Sequence, residues 1–217
     1  SWVMDVSTYC PAGVFDPEVG PETWAQGLAR YDVEVAMDGH WDGILIDRSD
    51  PDQSWLIGNS TARTIDPDRS NRLVADYAEF DAAWNAGLRA YEADLREWLG
   101  PDKIILANWG MANYDLLNGN NFEGFPPDPA QGAEYGRALS QYWHALVFGP
   151  AYRGSYFEWM EQAQQPNITM IETYEDDGGP DSWGGLDYEN ACDDPGFQPN
   201  YRKMRFGLTT ALLHDGF

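Results

Sequence analysis

The sequence predicts an α/β fold built on a parallel sheet, and it favours a barrel over an open sheet. Short apolar runs that end in polar residues alternate with segments of helical periodicity, which is typical of a parallel sheet with right-handed crossovers. No G-x-G-x-x-G or P-loop motif follows any of these runs, so the common reason for an open nucleotide-binding sheet is missing. We therefore expect residues 1–217 to form a single domain of the (β/α)8 TIM-barrel type.

The clearest predicted strand is the apolar run of Ile44, Leu45 and Ile46, which ends at Asp47. A run of this kind predicts a strand that is buried on both faces. Asp47 would then lie at the carboxyl end of the strand, the edge where α/β barrels display reactive groups, so it is a catalytic candidate. Two other interpretations stay open, because Asp47 could instead cap the following loop or pair with Arg48.

Four further elements are predicted in the amino-terminal half. Residues 1–7 predict an earlier strand, and residues 9–21, which are rich in proline and glycine, predict a loop. Apolar residues at helical spacing predict a short helix over residues 22–35 and a long amphipathic helix over residues 73–98, which a Gly-Pro pair stops.

The remainder of the chain continues the alternation of strands and helices. The stretch 111–121 is too short for a full crossover helix. The other predicted elements are a strand over residues 103–108, a mostly helical region over 131–165, a strand over 168–174 that continues into acidic residues, and a final helix over 201–213.

The charge balance excludes several classes of partner. The chain has 13 basic and 36 acidic residues and a formal net charge of −23, which disfavours nucleic acid and anionic membrane surfaces. No apolar run approaches the ~20 residues needed to cross a bilayer. Such an acidic surface suits a high-salt or extracellular setting, although a GC-rich genome would equally explain the excess of arginine over lysine. The expected location is extracellular or at the cell surface.

Two cysteines and one acidic loop are the candidates for redox and metal chemistry. Cys10 and Cys192 are too few for a disulfide framework or a zinc site, but one bridge between them is expected if the protein is secreted. The alternative is two unrelated thiols. Asp50 and Asp52, together with Asp47, could ligate calcium, but a solvated acidic loop is the favoured interpretation because the glycine and terminal glutamate of a calcium hand are missing. No other cofactor is expected.

Four segments resemble a known family. They are the D-G-I-L-I-D segment at residues 42–47, the strand that ends at Asn108, the N-F-E-G-F-P segment at residues 121–126 and the M-R-F-G-L-T-T-A-L-L-H-D-G-F ending at residues 204–217. In this order they resemble the glycoside hydrolase-like barrel family 15 and, more distantly, the polygalactosaminidase type of α-glycosidase. The final segment is more specific than the first, and the match covers most of the chain.

The resemblance implies a barrel of which this chain contains about strands 3 to 8. It places Asp47 at the end of strand four and Glu123 at the end of strand six, as the nucleophile and the acid/base of an α-glycosidase. It also implies that the first and last strands here pair with residues outside this sequence or with another chain.

The chemistry of the two carboxyl groups fits glycoside cleavage, which needs one ionised and one protonated acid around the scissile bond. Arg48 would keep Asp47 ionised, unless it points to the opposite side of the strand. Phe122 and Phe125 would disfavour ionisation of Glu123 by desolvation, so the two pKa values would move apart. The alternative for Glu123 is a solvated loop acid.

Substrate-binding residues are expected at the remaining strand ends. Aromatic side chains there can stack on sugar rings, and Asn108 can hydrogen-bond to a sugar hydroxyl or to Asp47, or cap its loop. The expected substrate-binding residues are Asp5, Asn108, Trp109, Glu172, Tyr174 and Trp183, with Tyr114 as a further aromatic candidate. The predicted function is a retaining glycoside hydrolase acting on an extracellular or capsular polysaccharide. Its rival is a non-catalytic carbohydrate-binding or structural component of an extracellular assembly.

Overall fold

A computed structural model describes residues 5–47, 49, 66, 69–72, 76–108, 110–122, 154–172 and 201–214. Six strands and four helices lie within these residues. In chain order they are β1 (Gly13–Asp16), β2 (Gly20–Glu22), α1 (Trp24–Asp38), β3 (Gly43–Ile46), α2 (Tyr77–Leu99), β4 (Ile104–Asn108), β5 (Gly119–Phe122), α3 (Tyr156–Gln162), β6 (Met170–Ile171) and α4 (Tyr201–Ala211).

Four of the strands form one parallel sheet in the order β3-β4-β5-β6. Each strand therefore lies beside the next strand in sequence. In sequence, α2 lies between β3 and β4, and α3 lies between β5 and β6. Two of the three connections in this sheet therefore contain a described helix. The predicted α/β class is confirmed.

The two faces of this sheet differ in character. Residues that pair in register lie on the same face, and successive residues of a strand alternate between faces. The helix face carries Ile44, Ile46, Ile105, Ala107 and Phe122, which pack in one core with α1, α2 and α3.

The opposite face, called the far face below, carries Leu45, Leu106, Asn108, Asn121 and Met170. Leu45 is 52% exposed. The strand was predicted to be buried on both faces, and this prediction was wrong for Leu45. The helices packed on β3 cover its helix face, whereas Leu45 lies on the far face.

The long helix α2 begins at Tyr77, later than the predicted residue 73. Asp76 explains this start, because its side chain accepts hydrogen bonds from the backbone N–H groups of Ala78 and Glu79 and so acts as an N-cap. Within the helix, Gly87 permits a close approach of the amino-terminal segment. A Cβ atom at Gly87 would lie 1.7 Å from the carbonyl oxygen of Val6, so any other residue would push this segment away.

The amino-terminal segment differs from its prediction in two places. Residues 9–21 were expected to be a loop, but β1 and β2 form an antiparallel hairpin within this range. Residues 5–7 were expected to belong to a strand and do not. There the backbone N–H of Ser7 donates to Oδ1 of Asp5 at 2.9 Å, a local turn that competes with strand pairing.

The other predicted elements are found where the structure describes them. The strand expected over 103–108 is β4, and the strand expected over 168–174 contains β6. The final helix, expected over 201–213, is α4, and α3 lies inside the region expected to be helical. None of the helices in the described part of the chain is both long enough and apolar enough to cross a membrane.

The amino end of the sheet is held together by Asn118 and Arg96. Oδ1 of Asn118, which is fully buried, accepts hydrogen bonds from the Ile105 backbone N–H and from the Arg96 guanidinium. Its Nδ2 donates to the carbonyl oxygen of Pro166 at 3.1 Å. Arg96 also donates to the carbonyl oxygens of Leu116, Gly100 and Lys103. These contacts tie β4, β5, α2 and the segment before β6 to one another.

Candidate functional site at the carboxyl edge of the sheet

Polar side chains gather at the carboxyl edge of the parallel sheet. Asp47 directly follows β3, Asn108 is the last residue of β4, Asn121 lies in β5 and Glu172 directly follows β6. By the alternation of each strand, all four belong to the far face. Below they are called the edge tetrad. In parallel α/β sheets, this edge is where ligands bind and reactions occur.

Two hydrogen-bonded pairs make up the edge tetrad. Nδ2 of Asn108 donates to Oδ1 of Asp47 at 3.0 Å, and Nδ2 of Asn121 donates to Oε1 of Glu172 at 2.5 Å. Asn108 and Asn121 are register partners on neighbouring strands, so their backbones lie about 4.8 Å apart. The row across the edge is therefore carboxylate, amide, amide, carboxylate.

Burial differs between the amides and the carboxylates of the edge tetrad. Asn108 is 8% exposed and Asn121 is 6% exposed, whereas Asp47 is exposed and Glu172 is half-buried. Each carboxylate is thus within reach of a solute and is oriented from behind by a buried amide. This arrangement suits a carboxylate that must keep one orientation while it contacts a ligand.

A short turn after β3 fixes the position of Asp47 further. The backbone N–H of Ser49 donates to the carbonyl oxygen of Asn108 at 3.0 Å. The Ser49 hydroxyl donates to the carbonyl oxygen of Ile46 at 3.3 Å, and Ser49 is fully buried. The chain is therefore held to β4 on both sides of Asp47, by strand pairing before it and by Ser49 after it.

Three of the predicted site residues come together in the edge tetrad, namely Asp47, Asn108 and Glu172. Asn121 is the fourth member and was not predicted as a site residue. Its strand has the sequence Gly-Asn-Asn-Phe, which carries little strand signal. The spacing of Asn121 two residues before Glu123 is the one signal that could have identified it, because residues i and i+2 of a strand share a face.

Two predicted site residues serve the fold in the structure. Asp5 accepts the hydrogen bond from Ser7, and burial raises its pKa. The ring of Tyr114 packs edge-on against Trp159, with 4.9 Å between ring centroids, so Tyr114 belongs to the helix-side core rather than to a sugar-stacking surface. Burial raises the pKa of Tyr114 to about 12.

Several predicted residues lie outside the described residues, namely Glu123, Trp109, Tyr174, Trp183, Arg48, Asp50, Asp52 and Cys192. Cys10 is half-buried and carries a free thiol in the described part of the chain. Its proposed partner Cys192 lies outside the described residues, so the bridge expected for a secreted protein stays a prediction. Over the described ranges, no group of three or more histidine, cysteine, aspartate or glutamate side chains is placed to hold a metal ion.

Comparison with known proteins gives no relative for this chain, since neither a family model nor a curated protein matches it. The carboxylate and amide groups of the edge tetrad nevertheless limit the chemical roles that this edge can have. An exposed, oriented carboxylate can act as a nucleophile or a base, and neighbouring carboxylate and amide groups can bind the hydroxyl groups of a polar ligand.

Proposed function

We propose that the chain is a retaining glycoside hydrolase that acts on an extracellular or capsular polysaccharide, with Asp47 as the nucleophile and Glu123 as the acid/base. The observation that carries the proposal is the position of Asp47. It follows a parallel strand at the carboxyl edge, it is exposed, and Asn108 orients one of its oxygens. The net charge of −23 supports an uncharged or cationic ligand over an anionic one.

The strand order supports a TIM-type barrel of the glycoside hydrolase-like family 15 type as the scaffold. In such a barrel, each strand lies beside the next strand in sequence and all strands are parallel. The order β3-β4-β5-β6 has both properties. An open doubly wound sheet would instead reverse its strand order at a switch point, and the four described parallel strands contain no reversal.

Strand spacing favours Glu123 over Glu172 as the partner of Asp47. Two strand spacings separate β3 from β5, which amounts to about 10 Å along the sheet, and three separate β3 from β6, which amounts to about 14 Å. Retaining glycosidases place their carboxyl groups roughly 5 Å apart, so the two side chains must converge from their strands, and about 10 Å between backbones allows this better than about 14 Å. Glu123 follows Phe122, the last residue of β5, in the sequence, so we assign the acid/base role to it.

The proposed reaction has two steps. The Asp47 carboxylate attacks the anomeric carbon while the Glu123 carboxyl group protonates the departing glycosidic oxygen, which leaves a glycosyl ester on Asp47. Glu123, now ionised, removes a proton from water as the water attacks the same carbon, and this step restores both groups. Asn108 contributes by holding Oδ1 of Asp47, so that Oδ2 is the oxygen presented to the sugar.

The test compares hydrolysis by the wild-type chain with hydrolysis by Asp47→Asn and Glu123→Gln. The substrates are α-linked polygalactosamine, which the resemblance suggests, and a panel of capsular polysaccharides, with release of reducing ends as the measurement. We expect each variant to lose at least about a thousandfold in rate, because each removes a group that acts in the transition state. Full activity in both variants would refute the proposal.

A second candidate is a barrel that binds carbohydrate without cleaving it. One observation favours it, because the two carboxylates of the edge tetrad each accept a hydrogen bond from a neighbouring asparagine, so the edge presents a row of polar groups that can bind sugar hydroxyl groups without cleaving a bond. Should the chain bind these polysaccharides in calorimetry and release no reducing ends, the binding function replaces the hydrolase.

A further inference from the structure

Asn121 has a buried oxygen that no group of the described chain donates to. The residue is 6% exposed, and its Nδ2 donates to Glu172. Its Oδ1 is buried and makes no hydrogen bond to the rest of the described chain. Most buried polar atoms are hydrogen-bonded, and a buried acceptor without a donor costs stability. An acceptor maintained in this state points to a donor that comes from outside the described residues.

The neighbouring residue shows that this is specific to one face of the sheet. Asn120 is of the same type and is 5% exposed, but its Oδ1 accepts a hydrogen bond from the Gly110 backbone N–H at 2.9 Å. Asn120 belongs to the helix face, whereas Asn121 belongs to the far face with the rest of the edge tetrad. The two adjacent asparagines therefore differ. The oxygen of Asn120 has a donor within the fold, whereas the oxygen of Asn121 has none in the described chain.

The orientation of the Asn121 amide follows from its partner. If the amide were reversed, Oδ1 would face the carboxylate of Glu172, and two acceptors would meet without a proton between them. The hydrogen bond from Nδ2 to Oε1 of Glu172 thus fixes Oδ1 away from Glu172. This oxygen is buried away from solvent in the described structure, so a ligand hydroxyl would reach it by displacing the groups that cover it.

We propose that Asn121 is a carbohydrate-binding residue whose Oδ1 accepts a hydrogen bond from a sugar hydroxyl at the carboxyl edge. The adjacent Glu172 carboxylate is a second acceptor, so the pair matches two neighbouring hydroxyl groups of one sugar ring, each of which can donate. The inference rests on the proposed function for the identity of the ligand as a carbohydrate. It does not require that the chain cleave the sugar.

The experiment follows sugar binding by NMR on the full chain labelled with ¹⁵N, using galactosamine as the probe and galactose as the uncharged control. The side-chain amide signals of Asn121 and Asn120 are assigned by their loss in Asn121→Ala and Asn120→Ala. We expect both sugars to shift the Asn121 amide signal and to leave that of Asn120 in place. The dissociation constant should rise about tenfold in Asn121→Ala and stay unchanged in Asn120→Ala.

A second pair of variants guards against effects on folding. Asn121→Leu and Asn120→Leu keep most of the side-chain volume while removing the amide, and urea unfolding shows which variants are folded. Among the folded variants, only those changed at position 121 should bind sugar more weakly. Equal weakening at positions 120 and 121 would mean that the loss is structural, and it would overturn the inference.

The remaining outcomes separate this inference from the proposed function. If a sugar binds with an unchanged dissociation constant in both Asn121 variants, Asn121 is not a ligand residue, and the hydrolase proposal stands. If neither sugar shifts any signal, the assignment of Asn121 fails, and the hydrolase proposal is decided separately by release of reducing ends from the polysaccharides. If Asn121→Ala weakens binding while Asp47→Asn still cleaves polysaccharide, the assignment of Asn121 stands and the nucleophile assignment falls.

Discussion

The two ends of the parallel sheet are both built around buried asparagines, but they use them in opposite ways. At the amino end, Asn118 has partners for both its oxygen and its nitrogen within the chain. At the carboxyl end, Asn121 has a partner for its nitrogen only. Only three positions along the chain separate the two residues. The two ends therefore differ in whether the oxygen of the buried asparagine has a donor within the described chain.

The same contrast applies to charge. Arg96 at the amino end donates to neutral oxygens, and burial lowers its pKa. At the carboxyl end, Asp47 and Glu172 are negatively charged groups that remain within reach of solvent. Buried contacts to neutral oxygens are therefore concentrated at one end and solvent-accessible carboxylates at the other, which is the division that α/β barrels make between stability and reactivity.

The largest expected effect on the free energy of unfolding comes from removing the Asn118 side chain at the amino end of the sheet. Asn118→Ala would leave the Ile105 N–H and one Arg96 N–H without an acceptor, and each unsatisfied buried donor costs about 1–3 kcal/mol. We expect the free energy of unfolding, measured with urea, to fall by at least about 3 kcal/mol. Asn121→Ala is the matched control, because it removes the same side chain from the same region of the chain. Its loss should stay below about 1 kcal/mol, and equal losses at the two positions would refute the contrast.

The second effect tests whether every buried acceptor without a partner marks a binding site. Glu92 on α2 is fully buried, and its Oε2 accepts from Asn113 while its Oε1 has no partner in the described chain. Burial is the main cause that raises the pKa of Glu92 to about 8, and Asp115 adds to the rise, while the hydrogen bond from Asn113 and the charge of Arg89 oppose it. Glu92 is therefore neutral through most of the physiological range, and its Oε1 shows that a buried oxygen without a partner does not by itself mark a binding site.

The sign of the pH dependence follows from this raised pKa. Between the ordinary glutamate pKa of 4.5 and about 8, the folded chain holds a proton on Glu92 that the unfolded chain releases. The stabilisation of the folded chain by this proton on Glu92 is complete below pH 4.5 and is lost as the pH rises from there to about 8. Glu92→Gln is neutral at every pH, so its stability relative to the wild type should increase by up to about 1.4 kcal/mol per pH unit within the window.

Urea unfolding at pH 5, 6, 7 and 8 measures this difference. Glu97→Gln, which changes an exposed glutamate on the same helix, is the matched control and should differ from the wild type by the same amount at all four values. A constant difference between Glu92→Gln and the wild type would show that Glu92 is ionised in the folded chain throughout.

The smallest expected effect on stability lies at Asp47. Asp47→Asn keeps an oxygen that can accept from Asn108, and the residue is exposed. The free energy of unfolding should therefore change by no more than about 0.5 kcal/mol. Thermal melts and urea unfolding of the variant used for the activity test provide the measurement. A large loss of stability would identify Asp47 as a structural residue and would remove the reason for calling this end reactive.

The sequence predicted those parts of the fold in which local pattern and final environment agree. The apolar runs of β3 and β4 and the long amphipathic helix α2 were predicted because their apolar residues face one core. The hairpin of β1 and β2 was missed because proline and glycine dominate it, although a bulge between Val14 and Asp16 accommodates the irregular pairing. Propensity gives no strand for β5, since its stability comes from neighbouring strands on both sides.

The candidate site was predicted in part, for a related reason. Asp47 and Asn108 follow or end apolar runs, so the sequence pattern alone indicates their position at the carboxyl edge. Asn121 could not be inferred in this way, because its role depends on a tertiary contact with Glu172, which is 51 positions away. The resemblance did point to the end of this strand through Glu123, but it gave no role to the asparagine two residues earlier.

The two adjacent asparagines of β5 also bear on how accurately this strand can fold. A shift by one residue would move every side chain of the strand to the other face. A shift that brought Asn120 into the place of Gly119 would put Asn121 into the place of Asn120, so at that one position the change would be chemically silent. Gly119 prevents it, because a Cβ atom there would lie 2.7 Å from the backbone of Ile168, and a shift would bring an asparagine into that narrow space. The glycine thus disfavours this shifted alignment, and it thereby keeps Asn121 rather than Asn120 on the far face of the sheet.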